Sequence, residues 1–218
     1  MSSFQKIAKE IFNASELKKL QSLSTPIQIQ DFLDTLSINF EYDGETNMSP
    51  RRVLRHKKAH CMEAALFAAA TLWLHGHEPL IMNMKAYPYD DDHCVALYKI
   101  NGFWGAISKT NHTTVRFRDP VYRTVRELAM SYFHEYFVNT TGDKVLQSYS
   151  RPINLKRFGT EWLTTEEELF DLAAVVDKSP HFPYLPSKNK RHLRRADRME
   201  RKSGKIIEWR DEGEKMPD

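Results

Sequence analysis

Cys61-Met62-Glu63-Ala64-Ala65-Leu66-Phe67-Ala68-Ala69-Ala70-Thr71-Leu72-Trp73-Leu74 is the stretch on which the fold turns. It holds neither Gly nor Pro, and Ala and Leu dominate it, so it reads as one unbroken apolar helix. His75-Gly76-His77, with Pro79 just beyond, supplies a glycine C-terminus and then a residue that cannot continue the helix. Cys61 opens the run. A thiol there lies beside unpaired backbone N–H groups and the positive end of the helix dipole. Both favour the thiolate, which is the nucleophilic form. A free cysteine is equally at home as a small core hydrophobe, so position alone does not decide between the two roles.

Outward from this helix the pattern changes period. Residues 80–86 read as a buried strand and 87–92, Tyr-Pro-Tyr-Asp-Asp-Asp, as a loop. His93 to Ile100 is a strand, Asn101-Gly102 a strong hairpin signal, and Phe103 to Ser108 the returning strand. Thr113 to Arg118 reads as a further strand, ended by Asp119-Pro120. Residues 124–138 and 165–177 read as helices, the second with a capping box from Thr165 to Glu168. Upstream, residues 14–23 and 26–36 are expected helices, and Ile38, Phe40 and Tyr42 alternate as a short strand. Residues 43–60 are polar and irregular, with a helical turn at 50–56. The expected class is α+β: a central helix opened by cysteine, packed on an antiparallel sheet, with flanking helices.

Composition sets outer bounds. At 218 residues the chain fits one domain of the usual size, about 150 residues, with an appendage. A chain this long buries roughly 70% of its unfolded surface and requires no disulfide or metal staple. The two cysteines, Cys61 and Cys94, make no disulfide framework and suit a reducing compartment. The N-terminal residues lack the apolar core of a signal peptide, and the longest apolar run falls short of the about 20 residues that span a bilayer. The expectation is a soluble cytoplasmic protein without membrane association or cofactor. Between Ser187 and Lys205 nine Lys or Arg face two acids. With +3 for the whole chain, the remainder is mildly acidic. Residues 1–186 are therefore read as the domain and 187–218 as a basic tail, a solvated helix or flexible arm. Clustered Lys and Arg neutralise phosphates, but no interleaved aromatics or binding motif favour nucleic acid here. His75 and His77 with Asp90–Asp92 do not make a metal set, which needs three or four converging ligands.

His93 supplies the chemistry that Cys61 lacks alone. A cysteine nucleophile needs a base that takes its proton and later returns one to a leaving group, and imidazole titrates near neutrality. Along the strand His93, Val95 and Leu97 share one face, and Cys94, Ala96 and Tyr98 the other. The His93 face is expected to pack on the Cys61 helix, with Cys94 as plain core.

The segments His60-Cys61-Met62-Glu63, Asp92-His93-Cys94-Val95 and Phe103-Trp104-Gly105-Ala106-Ile107-Ser108, in that order, resemble the transglutaminase-like group of papain-type cysteine enzymes. Residues 55–120 carry the resemblance. It implies that Cys61 is the nucleophile, His93 the general base, and a peptide or protein amide the substrate, attacked to give a thioester. The family places an Asp four residues after the strand tryptophan; here Ser108 stands there. Counting back from the Asn101-Gly102 turn pairs Val95 with Ser108, which puts Ser108 on the His93 face, diagonally adjacent. Asn111 follows closely and could orient the imidazole, and Asp119 is a third candidate at the far end of the strands. The missing carboxylate also fits a non-catalytic relative that binds a protein or nucleic acid through the same cleft or the tail.

Overall fold

Capping chemistry starts the N-terminal helices. The structure, a computed structural model, describes residues 3–208. It begins with α1 (Ser3–Ile11), α2 (Ala14–Ser22) and α3 (Pro26–Asp34). Asn13 and Thr25 each accept from the third N–H of the helix they precede, and Glu16 and Gln28 return the bond in reciprocal capping boxes. Strand β1 (Ser37–Ile38), helix α4 (Pro50–His56) and strand β2 (Lys58–Ala59) lead into α5 (Cys61–Leu74), whose limits are those expected. Every residue of α5 except Cys61 and Trp73 is buried, as befits a helix apolar on all sides.

The sheet follows. Strands β3 (Leu80–Lys85), β4 (His93–Ile100), β5 (Phe103–Ile107) and β6 (Arg118–Tyr122) precede α6 (Val125–Phe133). Then come β7 (Ser148–Ser150), β8 (Ile153–Asn154), α7 (Phe170–Asp177), β9 (His181–Pro183) and α8 (Arg198–Ser203). The order across the sheet is β6-β5-β4-β3-β7-β9, with β8 also on β3, and the paired strands run antiparallel. This is an α+β architecture.

Both sheet faces are covered, and the assignment of faces reverses the expected one. Helix α5, with Ala65, Leu66 and Ala69, packs on Cys94, Ala96 and Tyr98. Val95 and Leu97, on the His93 face, pack instead beneath α6 against Leu128, Ala129 and Tyr132. His93 still meets Cys61, because each is the first residue of its element and the two ends converge at one rim of the sheet.

Four further expectations change. Residues 165–169 are not helical: Glu168 accepts from Asn47 N at 2.6 Å and pairs with Arg52 at 2.6 Å. With its carboxylate committed to the loop before α5, no capping box forms. The strand expected at 113–118 is shifted to Arg118–Tyr122. Pro120 is tolerated because β6 is an edge strand. The helix expected at 124–138 stops at Phe133, and Tyr136 turns toward the cleft. The alternation at 38–42 yields only the two-residue β1, since Glu41 lies at φ 56°.

The basic tail is tethered in its described part. Ala196 N donates to Gly142 O at 2.8 Å, Arg201 Nε to Asn139 O at 2.8 Å, and Thr113 N to Ile206 O at 3.1 Å. Residues 209–218 of that tail lie outside the described residues. Among the described residues no helix is long and apolar enough to cross a membrane, and no cluster of His, Cys, Asp and Glu gathers where a metal could be held.

Gly105 sits where β4, β5 and β6 meet. A Cβ there would press into the Tyr98 ring and lie 2.7 Å from Arg118 O. Overpacking of this kind costs about 1–3 kcal/mol. Gly105→Ala is expected to lower the urea midpoint of unfolding accordingly; an unchanged midpoint would show that the sheet yields at this point.

Candidate active site

The start of α5 is organised by a buried carboxylate. His60 is the N-cap, extended at φ −91° and ψ −177°, and its Nδ1 accepts from Met62 N–H at 3.2 Å. Glu63, fully buried, returns the bond by accepting from His60 N at 3.0 Å. The same carboxylate accepts from Met48 N at 3.0 Å, Thr46 Oγ1 at 2.9 Å and Asn39 Nδ2 at 3.2 and 3.1 Å. A buried charge is tolerated only when paired and hydrogen-bonded, and here the donors come from the loop that precedes the helix. Glu63 therefore ties residues 39–48 to the first turn of α5. His60 Nε2 lies 2.9 Å from Thr46 O, 3.5 Å from Glu63 Oε1 and 3.8 Å from Glu41 Oε1.

The opposite wall is set by the turn before β4. Asp92 accepts from Ala86 N at 2.9 Å and Tyr87 N at 3.2 Å, so its carboxylate closes the loop. Its carbonyl lies 3.9 Å from Cys61 Sγ. His93 follows, buried, with Nε2 2.8 Å from Ser108 Oγ. The Ser108 hydroxyl donates to Val115 O at 2.6 Å, so its oxygen is left to accept the Nε2–H of His93. This fixes the tautomer and leaves Nδ1 for the sulfur. Ser108 is itself clamped: Gln30 accepts from Ser108 N at 3.0 Å and donates to Ser108 O at 2.8 Å. Val115 presents its carbonyl from φ 54°, a conformation costly for a β-branched residue. Glu135 holds it there, accepting from Val115 N at 2.9 Å while pairing with Arg118 at 2.5 Å.

The other two candidate orienting residues lie elsewhere. Asn111 lines the cleft and its carbonyl accepts from Glu208 N at 2.8 Å. Among the described residues no hydrogen bond joins it to His93. Asp119 is exposed on edge strand β6; burial, and after it the Asp119 charge, raises the Tyr98 phenol. Ser108 alone of the three reaches the imidazole.

Two imidazoles contact the sulfur. Burial pushes the Cys61 thiol up, but hydrogen bonds from His60 and His93, with their charges, outweigh it and bring the thiol from 9.0 down to about 5. Burial likewise opposes charge on His60, yet the hydrogen bond and charge of Cys61, then Glu63 and the Thr46 carbonyl, lift it to about 9. Cys94 is buried and held well above its ordinary value, first by burial and then by the Cys61 charge. The Tyr136 phenol, kept protonated by burial and by Asp90 and Cys61, donates to Asp91 O, and its ring stands 6.4 Å from His93. All this surrounds an open cleft of about 610 Å³, whose walls include Asn39, Glu41, Asp90 and Asn139. As the first helical residue Cys61 has an N–H without an intrahelical acceptor, directed to the same end as the sulfur.

His60 and Glu63 stood outside the chemistry expected from sequence. The spacing of a capping box, with histidine in place of serine or threonine at its head, was the available signal. No protein-family model matches the chain, and no curated protein matches it.

Thiolate fraction sets alkylation rate. With Cys61 near 5, its reaction with iodoacetamide is expected to rise through the acid range and level off by about pH 7, whereas an ordinary thiol climbs through about 8.5. Peptide mapping is expected to find the label on Cys61 and not on Cys94. A rate that keeps rising above pH 8 would contradict the paired thiolate.

Proposed function

We propose that this protein is a cysteine-dependent acyl-transfer or amide-hydrolysing enzyme that works through a thioester on Cys61. One observation carries the reading: a helix-start sulfur contacted by His93, whose far nitrogen is anchored on Ser108, at an open cleft. The order of cysteine helix, histidine strand and hairpin supports a papain- or transglutaminase-like arrangement. Two unpaired cysteines suit a reducing, cytoplasmic setting.

Cys61 Sγ attacks the carbonyl carbon of a peptide or protein amide. As the C–S bond forms, the carbonyl electrons move to oxygen, facing the Cys61 N–H and the positive end of α5. Collapse of this intermediate breaks the C–N bond, and the nitrogen leaves as an amine, taking through His93 the proton that Cys61 gave up to its flanking imidazoles. Water, or an acceptor amine, then attacks the thioester and gives its proton to His93. The C–S bond breaks and the sulfur recovers its electron pair. Ser108 holds the imidazole in place throughout. It does so as a neutral acceptor, so it orients the ring but stabilises an imidazolium less than a carboxylate would.

General acid–base catalysis contributes about 10²–10⁴-fold. With p-nitrophenyl esters and peptide p-nitroanilides as probes, His93→Ala is expected to lose that much turnover while its circular dichroism stays native. Cys61→Ala is expected to show neither turnover nor an acyl adduct by intact mass. Turnover retained in Cys61→Ala would overturn the reading. A Cys61 that alkylates readily yet is never acylated by ester, anilide or peptide would instead assign the cleft to binding.

Ser108→Ala removes one hydroxyl but strands two buried groups, His93 Nε2–H and Val115 O. Such losses cost about 1–3 kcal/mol each. The variant is expected to unfold at lower urea and to lose turnover, with the thiol still alkylated; unchanged turnover would remove Ser108 from the site.

A further inference from the structure

We propose that His60, and not His93, carries the positive charge opposite the Cys61 thiolate. The S–H bond breaks with its electron pair left on sulfur, and the proton moves to Nδ1 of His60. The inference rests on Cys61 being the nucleophile of the preceding section, and it reassigns the resting proton within that site.

The difference between the two rings lies in what stands behind them. His93 is backed by a neutral hydroxyl that is itself committed to the Val115 carbonyl. His60 is backed by Thr46 O at 2.9 Å, Glu63 Oε1 at 3.5 Å and Glu41 Oε1 at 3.8 Å. Nucleophile, imidazole and buried carboxylate thus stand in the order of a triad, Cys61–His60–Glu63, built within one helical turn. Because Nε2 of His60 is held by Thr46 O, only Nδ1 remains for the thiol proton. The other ionisable groups around the pair are Glu168 beside His60; His93, Cys94 and Tyr136 beside Cys61; and, across the cleft, Asp92 and Asp90. Of these, Glu168 is engaged by Arg52.

Protonation of Nδ1 removes the acceptor of Met62 N–H. That bond is long, 3.2 Å, and the helix end then faces a full negative charge on Sγ, which its dipole favours. The arrangement also explains how the proton is released. Once the C–S bond forms the sulfur's charge is gone, and with it the main attraction that held the proton on His60. The proton then becomes available to the departing nitrogen, while His93, positioned by Ser108, is the ring that moves the substrate's protons.

The test separates charge from capping. His60→Asn keeps an N-cap acceptor for the first-turn N–H groups but cannot be charged; His93→Gln leaves His60 in place. The pH midpoint of Cys61 alkylation by iodoacetamide is expected to rise by about two units or more in His60→Asn and by about one or less in His93→Gln, since loss of an adjacent opposite charge moves a pKa by 1–3. A shift in His93→Gln equal to or larger than that in His60→Asn overturns the assignment. If His60→Asn does not fold, nitrogen-15 NMR of the histidines in the native chain decides instead. The resonances of a doubly protonated ring at pH 7 are expected to belong to His60 and to disappear on alkylation of Cys61; finding them on His93 overturns the proposal. Neither readout requires turnover. An inactive protein that shows this pattern would sink the enzyme reading and leave the ion pair standing, and an active one without it would do the reverse.

Discussion

Burial of the Glu63 carboxylate is the constraint on which the site depends. Its oxygens accept from Asn39, Thr46, Met48 and the His60 backbone. Removing any one donor would leave a charge short of partners in a place water does not reach, which costs far more than the bond itself contributes. The loop from 39 to 48 therefore cannot drift from the helix start, and His60 cannot leave its cap. The thiol inherits this rigidity, because it is the next residue along. The helix that carries it is buried over nearly its whole length, so the sulfur's position is set by the core as well as by the cap.

The second half of the site is held by a different device. Ser108 is pinned between Gln30, Val115 and His93, and Val115 is kept in an unfavourable backbone conformation by Glu135 and Arg118. Backbone of this kind persists only where its surroundings over-determine it. The described part of the tail adds to that enclosure, since Ile206 and Glu208 bond to Thr113 and Asn111. The tail thus braces the segment that aims the Val115 carbonyl.

Much of this was legible from residue types. Helix 61–74 follows from an unbroken Ala and Leu run, and the β4–β5 register from Asn101-Gly102, which puts Ser108 on the His93 face. The facing of the sheet was not legible. Both faces of β4 are apolar because both are covered, by α5 on one side and α6 on the other. Alternation then carries no sign of which is which. The lost helix start at Thr165 has a similar cause: a carboxylate at capping spacing is equally a partner for a distant arginine, and Arg52 took it. His60 was hidden because imidazole is an uncommon cap, and its role arises only where the loop carrying Thr46 and Glu41 folds over it. The positive φ of Val115 has no signature in a branched side chain.

The Cys61 sulfur, poised between two imidazoles, is expected to add to carbonyl carbon. A peptide aldehyde labelled with carbon-13 at its carbonyl tests this most directly. The carbonyl signal is expected to be replaced by that of a tetrahedral hemithioacetal, lost in Cys61→Ser and retained in Cys94→Ser. Free aldehyde alone, in a protein whose Cys61 still reacts with iodoacetamide, would contradict it.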